Sequence, residues 1–276
     1  MKTALLQITS SDDPAENLDV VRRMVTSAVD QGARFVLTPE VTNCVSGSKT
    51  RQQEVLRHEE DDETLAGLRA QARELGIWLL IGSLGLKTHD ADRRFANRSF
   101  LVSPDGEIAA RYDKIHMFDV QVTETETFRE SANYRPGDRA VTADTPFGRI
   151  GMTICYDVRF PHLYAALAQA GARILTVPAA FSPVTGAAHW ESLLRARAIE
   201  TGCYVLAPGQ CGTHPTTRGK QRQTHGHSLA VSPWGEVLID GGTEPGIHFL
   251  ELDDTSVTEA RRKVPSLTHV RPFTGP

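Results

Sequence analysis

Arg149-Ile150-Gly151-Met152-Thr153-Ile154-Cys155-Tyr156-Asp157-Val158-Arg159-Phe160-Pro161 is the stretch from which the rest of this chain can be read. Its first half is apolar and partly β-branched, the pattern of a buried strand, and Pro161 suits the first turn of a helix. Cys155 falls between the two. A cysteine at a strand-to-helix junction can reach into a cleft and lie near helix amides that favour a thiolate; in mid-strand it would only fill core.

The same handover from strand to helix recurs on both sides of this stretch. After it, a helix from about Pro161 to Gln169 leads to a strand Arg173–Val177, then a helix from roughly Ala188 to Glu200 and a strand Tyr204–Leu206. Before it, Met1–Ile8 reads as a first strand. Asp13 caps a helix with Pro14 in its first position and Leu18, Val21, Val25, Ala28 and Val29 as its apolar stripe. Trp78–Gly82 reads as a buried strand, Arg98–Ser103 and Glu107–Tyr112 as a hairpin across Pro104-Asp105-Gly106, and Ser232-Pro233-Trp234-Gly235 as a second hairpin turn. Helix-linked strands and hairpins together call for mixed sheets in an α/β protein. No repeat or low-complexity linker divides the chain, so residues 1–276 are expected to form a single domain.

Composition narrows the function. A formal net charge of −4 with interspersed signs gives no footprint for nucleic acid, and the one basic run, Arg261-Arg262-Lys263, fits a solvated helix end. No stretch approaches the apolar length of a membrane span, and the start is too quickly charged for a signal peptide. The 4 cysteines (Cys44, Cys155, Cys203, Cys211) make neither a disulfide scaffold nor a C-x-x-C pair, which suits a reducing cytoplasm. His214, His225 and His227 lack a third ligand at a recognisable spacing, so neither metal nor cofactor is expected.

Two charged residues stand out beside Cys155. The run Arg34-Phe35-Val36-Leu37-Thr38-Pro39-Glu40 is a short strand that delivers Glu40 where it stops; taken alone, Glu40 reads as a solvated loop residue. In Tyr112-Asp113-Lys114-Ile115-His116-Met117-Phe118, an extended chain would put Lys114, His116 and Phe118 on one face. An edge-strand lysine is the plain alternative there.

With these blocks in place the sequence resembles the nitrilase superfamily of carbon–nitrogen hydrolases. Leu37-Thr38-Pro39-Glu40, Tyr112-Asp113-Lys114-Ile115-His116 and Gly151 to Pro161 occur in the family's order. Further similarity lies at Arg135-Pro136-Gly137-Asp138, Gly186-Ala187-Ala188-His189-Trp190-Glu191 and Pro233-Trp234-Gly235-Glu236. The resemblance implies a four-layer α-β-β-α sandwich, protomers paired through helices into a dimer, and a Glu40–Lys114–Cys155 triad acting on a small-molecule amide. Cys155 would attack the carbonyl to give a thioester and Glu40 would carry the proton, its pKa raised by burial. Lys114 and the backbone N–H of Tyr156 would hold the oxyanion. Glu130, in Phe128-Arg129-Glu130-Ser131, matches the family's second glutamate, whereas by itself it reads as a surface carboxylate in the polar stretch Thr123 to Glu130. Asp157 and Arg159 are expected to pair and brace the turn.

Within the family, Leu194 to Thr201 and Gln210-Cys211-Gly212-Thr213-His214 look most like the amidases of deaminated glutathione, with ω-amidases as near neighbours. Carbamoyl amino acid hydrolases and nitrilases are more distant alternatives, and a scaffold without turnover has no need of the charged trio. The segment from Thr213 to Thr224 is longer than this branch leads one to expect. Its Arg218, Lys220 and Arg222 could meet a carboxylate, although a solvated loop is the default.

Overall fold

The computed structural model describes residues 1–124 and 127–275, so residues 125 and 126 of the polar stretch Thr123 to Glu130 lie outside the described residues. In chain order the strands begin with β1 (Lys2–Gln7), β2 (Phe35–Leu37), β3 (Trp78–Leu86), β4 (Ala96–Val102) and β5 (Ile108–Asp113), then a short pair, β6 (Asp119–Gln121) and β7 (Thr127–Arg129). There follow β8 (Val141–Ala143), β9 (Ile150–Met152), β10 (Ile174–Thr176), β11 (Tyr204–Ala207) and a second short pair, β12 (Cys211–Thr213) and β13 (Gln223–His225). The last three are β14 (Leu229–Val231), β15 (Val237–Asp240) and β16 (Gly246–Glu251). The helices are α1 (Pro14–Asp30), α2 (Lys49–Val55), α3 (Glu63–Leu75), α4 (Pro161–Gln169), α5 (Pro183–Thr201) and α6 (Asp254–Lys263).

Two six-stranded sheets result, ordered β16-β1-β2-β3-β4-β5 and β15-β14-β11-β10-β9-β8. Both are mixed: β1, β2 and β3 run parallel, as do β9, β10 and β11, with antiparallel strands added at the edges. The layering follows from the two-residue period of strands buried on both faces. Leu5, Leu37, Leu80 and Leu101 point from the first sheet into a core shared with Ile150, Met152 and Leu175 of the second. Their neighbours Leu6, Val36, Leu79, Ile81 and Phe100 point the other way, against Val21 and Val25 of α1 and Leu65 and Leu68 of α3. Tyr164 of α4 and Trp190 and Leu194 of α5 pack into the core of the second sheet. This is the expected α-β-β-α arrangement.

Local signals fall largely where expected. Asp13 caps α1, its side chain accepting from the N–H of Ala15 at 2.9 Å, and Gly106 takes the positive φ of the β4–β5 turn. Two expectations fail. Helix α5 begins at Pro183, not Ala188. Val184, Thr185 and Gly186 are poor helix formers, and Gly186 is there because a Cβ would sit 2.3 Å from the His225 ring. Residues 114–118 are not a strand, because side chains replace a ladder partner: Asp157 accepts from the N–H of His116 and Glu130 from the N–H of Phe118.

Candidate active site

The site forms where loops leaving β2, β5, β9 and β10 converge. Gly82 in β3 allows the approach: a Cβ there would lie 2.0 Å from the carbonyl oxygen of Thr38 and 2.6 Å from Pro178. The chain after β2 then turns through Val41, a β-branched residue at φ 46°, whose N–H donates to Ser83 Oγ at 2.7 Å. That strained turn drives Glu40 inward, so it is 4 % exposed and not the solvated carboxylate its loop position suggests. Gln210, in the block that marks the branch, fixes the backbone by donating to the Glu40 carbonyl at 3.1 Å.

Lys114 enters from the end of β5. Its N–H donates to the Asn97 carbonyl and its own carbonyl accepts from Gly137, where a side chain would strike Asp113. Its Nζ donates to Glu40 Oε1 at 2.9 Å and to both oxygens of Glu130 at 2.9 Å. Cys155 opens a short 3₁₀ helix, Cys155–Arg159, at φ 50°, with its N–H given to the Pro178 carbonyl at 3.0 Å. A cysteine in the left-handed region is held there by its surroundings, as nucleophiles on tight turns often are. The structure thus brings Glu40, Lys114, Cys155 and Glu130 to one cavity of about 260 Å³, with Tyr156 in its wall.

The charges are set by mutual contact. Burial alone would raise the Glu40 carboxyl, but the adjacent Lys114 ammonium outweighs it and holds the group below the usual carboxylate range. This overturns the expectation of a carboxyl raised by burial. Burial would lower Lys114, and the charges of Glu130 and Glu40 push it well above its ordinary value instead. The Cys155 thiol is pushed well up by burial and by the Glu40 charge, so no resting thiolate is favoured by helix amides. The resting site is therefore carboxylate, ammonium and thiol.

Two residues of the site carry no signal in the sequence: Asn97 donates to Glu40 Oε1 at 2.8 Å, and Ala180 donates its N–H to Glu40 Oε2 at 2.8 Å. Phe118, grouped with Lys114 from the sequence, lies in the cavity wall and gives its N–H to Glu130 at 2.7 Å. A backbone donor leaves no residue signature, and Asn97 only looks like a strand residue. The expected Asp157–Arg159 pair is absent. Asp157 is fully buried and accepts four bonds: from Tyr112 Oη (2.7 Å), the N–H of Ile154 (2.9 Å), and the N–H and Nδ1 of His116 (3.0 and 2.7 Å). It clamps the lysine loop to the cysteine turn. Arg159 lies over the rings of Tyr156 and Phe181.

Among the described residues one group of metal-type donors meets, His58, Glu60 and His89. Its imidazoles stack at 4.2 Å and 2°, so their in-plane lone pairs run parallel and do not converge on an ion. His214 instead bonds the Ser10 carbonyl and Thr224, and His227 bonds Asp240.

The fold and this constellation define a carbon–nitrogen hydrolase. Residues 2–262 match that family, and the chain belongs to it. It is 39% identical over 269 residues to a deaminated glutathione amidase of Yersinia enterocolitica, covering 97% of this chain and 92% of the relative. It is also 39% identical over 273 residues to the rat enzyme of the same name, covering 98% and 82%. The Caenorhabditis elegans NitFhit protein superposes with a TM-score of 0.89 at 35% identity, over 98% of this chain and 65% of that one. A Glu-to-Gln mutant amidase from Nesterenkonia sp. AN1, carrying acrylamide on its active-site cysteine, superposes with a TM-score of 0.76 at 28% identity, over 96% and 98%. No helix among the described residues is long and apolar enough to cross a membrane.

Proposed function

We propose that this protein is a cysteine-dependent amidase that hydrolyses deaminated glutathione, an amide of a 2-oxo dicarboxylic acid with a peptide-like amine. The observation that carries the reading is the buried Glu40–Lys114 contact beside a cysteine held at positive φ, in a chain 37–39% identical to enzymes of that name. Glu40, ionised at rest, takes the thiol proton as Cys155 attacks the carbonyl carbon. The raised thiol makes free thiolate scarce, so proton transfer accompanies bond formation. The oxyanion that develops faces Lys114 and the N–H of Tyr156, which lies in the first turn of the 3₁₀ helix where no intrahelical acceptor exists. The N–H of Cys155 is already given to Pro178 and takes no part.

Glu40 then gives the proton to the departing amine, and the thioester carbonyl remains on Cys155. Water, deprotonated by Glu40, attacks that carbonyl, and collapse returns the proton to sulfur as the acid leaves. Glu130 holds Lys114 in place through both oxygens. Glu40, Lys114 and Cys155 form one coupled electrostatic unit.

Residues 1–276 are taken as one catalytic unit working as a cytoplasmic homodimer. Four buried free cysteines suit a reducing compartment, and Ile199, Trp234 and Val264 leave large apolar side chains exposed along and beside α5 and α6 for self-association. The test is a comparison of kcat/KM for deaminated glutathione, 2-oxoglutaramate, an N-carbamoyl amino acid and an aliphatic nitrile. Deaminated glutathione should lead; 2-oxoglutaramate in first place would make the protein an ω-amidase, and either of the others would end the branch assignment.

A further inference from the structure

The proposed substrate carries a carboxylate on its acyl part, and the reacting groups leave no free cation to meet it. Lys114 is bonded to Glu40 and Glu130 at rest and serves the oxyanion during the reaction, so it is not available to a second anion. Of the three basic residues in the long segment between β12 and β13, Arg218 is bound to Glu54 at 2.7 Å, outside the cavity, and Lys220 is exposed. Arg222 alone reaches the cavity wall. It donates to the Ala180 carbonyl at 2.8 Å and makes no ion pair with a carboxylate among the described residues, so most of its five N–H groups are uncommitted.

Two hydroxyls line the same cavity. Ser182 Oγ and Thr185 Oγ1 are buried without a hydrogen-bond partner among the described residues, and Ser182 is only 7% exposed. Ser182 occupies the N-cap position of the nineteen-residue helix α5, yet its side chain does not cap it. A buried hydroxyl left unpaired is costly, and here a helix N-terminus that favours anions lies beside it. Ala180 links this region to the reacting groups, giving its N–H to Glu40 and its carbonyl to Arg222.

We infer that Arg222, with the hydroxyls of Ser182 and Thr185 at the start of α5, binds a carboxylate on the acyl part of the substrate. The inference rests on the proposed amidase reading and narrows it to amides of short dicarboxylic acids. In such an acyl chain four carbon–carbon bonds of about 1.5 Å separate the attacked carbon from the carboxylate, a reach of roughly 5 Å. The rival cations are Arg129, which also lines the cavity, and Arg159, which stacks on the wall residues Tyr156 and Phe181 without lining the cavity itself.

The experiment measures kcat/KM for glutaramate and for pentanamide, which has the same length and no carboxylate, in wild type, Arg222→Met, Arg222→Lys, Ser182→Ala, Arg129→Met and Arg159→Met. Arg222→Met should lower the glutaramate value about 10- to 100-fold more than the pentanamide value, as expected for a hydrogen bond between charged groups. Arg222→Lys should recover part of that selectivity, and Ser182→Ala should lose a smaller part. Equal losses on both amides, or a charge-selective loss that appears in Arg129→Met or Arg159→Met in place of Arg222→Met, overturns the assignment. Calorimetric titration of glutarate into wild type and Arg222→Lys tests it without turnover and without the bolder variant; absence of binding to wild type at millimolar glutarate also overturns it. If deaminated glutathione is not hydrolysed while the simple amides are, the substrate proposal falls and the carboxylate subsite is still judged by the charge ratio.

Discussion

Asp157→Asn is the substitution that most directly tests how the lysine loop and the cysteine turn are joined. All four groups bonded to this buried carboxylate are donors: Tyr112 Oη, the N–H of Ile154, and the N–H and Nδ1 of His116. Asparagine has the same shape but brings an NH₂ to one side. Turned toward Tyr112 and Ile154, that NH₂ can be accepted by the phenol, but the N–H of Ile154 is left facing another donor. One unsatisfied buried donor costs about 1–3 kcal/mol, and the remaining bonds lose their charge assistance at about 0.5–1 kcal/mol each. With three bonds remaining, the sum is about 2.5–6 kcal/mol, a large share of a typical folding free energy, and should lower Tm by roughly 10 °C. Urea unfolding and a melting curve measure it, and Arg159→Met serves as the control. That variant loses stacking on the half-buried Tyr156 ring and the buried Phe181 ring, worth about 1 kcal/mol. If Asp157→Asn cost under 1 kcal/mol, or if the arginine variant cost as much as the asparagine one, the clamp would be refuted and an Asp157–Arg159 brace would be restored.

Cys155→Ala should abolish turnover with the fold intact, and intact-mass analysis of wild type with a slow substrate should find the acyl adduct on Cys155; an adduct on Cys44, Cys203 or Cys211 would move the nucleophile. Lys114→Arg should be nearly as damaging as Lys114→Ala, since a planar fork cannot take the place of an ammonium bonded to two carboxylates, and retention of more than about a tenth of wild-type kcat would exclude the oxyanion role. The rate should be flat from mildly acidic to neutral pH. Glu40 is held below the usual carboxylate range, so its base form is lost only as pH falls through that lowered value, and Cys155 and Lys114 both titrate above their ordinary values; an acid limb centred above pH 6 would contradict this. His214 is buried neutral, lowered to about 4 by desolvation, so it favours folding above its unfolded value near 6.5 and that contribution is lost as pH falls toward 4. Over that window wild type should lose about 3 kcal/mol relative to His214→Gln, and comparing the two at each pH cancels the opposite slope of Asp62, raised to about 6 by burial; equal slopes would refute it.

What the chain determines by itself is local or repeats with a fixed period. The strands around Leu5, Val36, Leu80 and Ile150 were legible because alternate side chains enter two different cores, and α1 because Asp13 and Pro14 mark its start. The blocks that hold Glu40, Lys114 and Cys155 were legible as a family pattern. What the tertiary structure decided are the contacts between segments far apart in sequence. Asp157 bonds Tyr112 and His116 and not its neighbour Arg159, because the turn at Cys155 points its carboxylate toward the loop after β5. Burial points the Glu40 carboxyl upward, and only the fold sets how close the opposing ammonium comes, from a residue seventy-four positions away. Of Arg218, Lys220 and Arg222, only the folded loop selects the one that faces the cavity. Desolvation can be guessed from an apolar neighbourhood in sequence; which charge or donor meets a buried group depends on the path of another part of the chain.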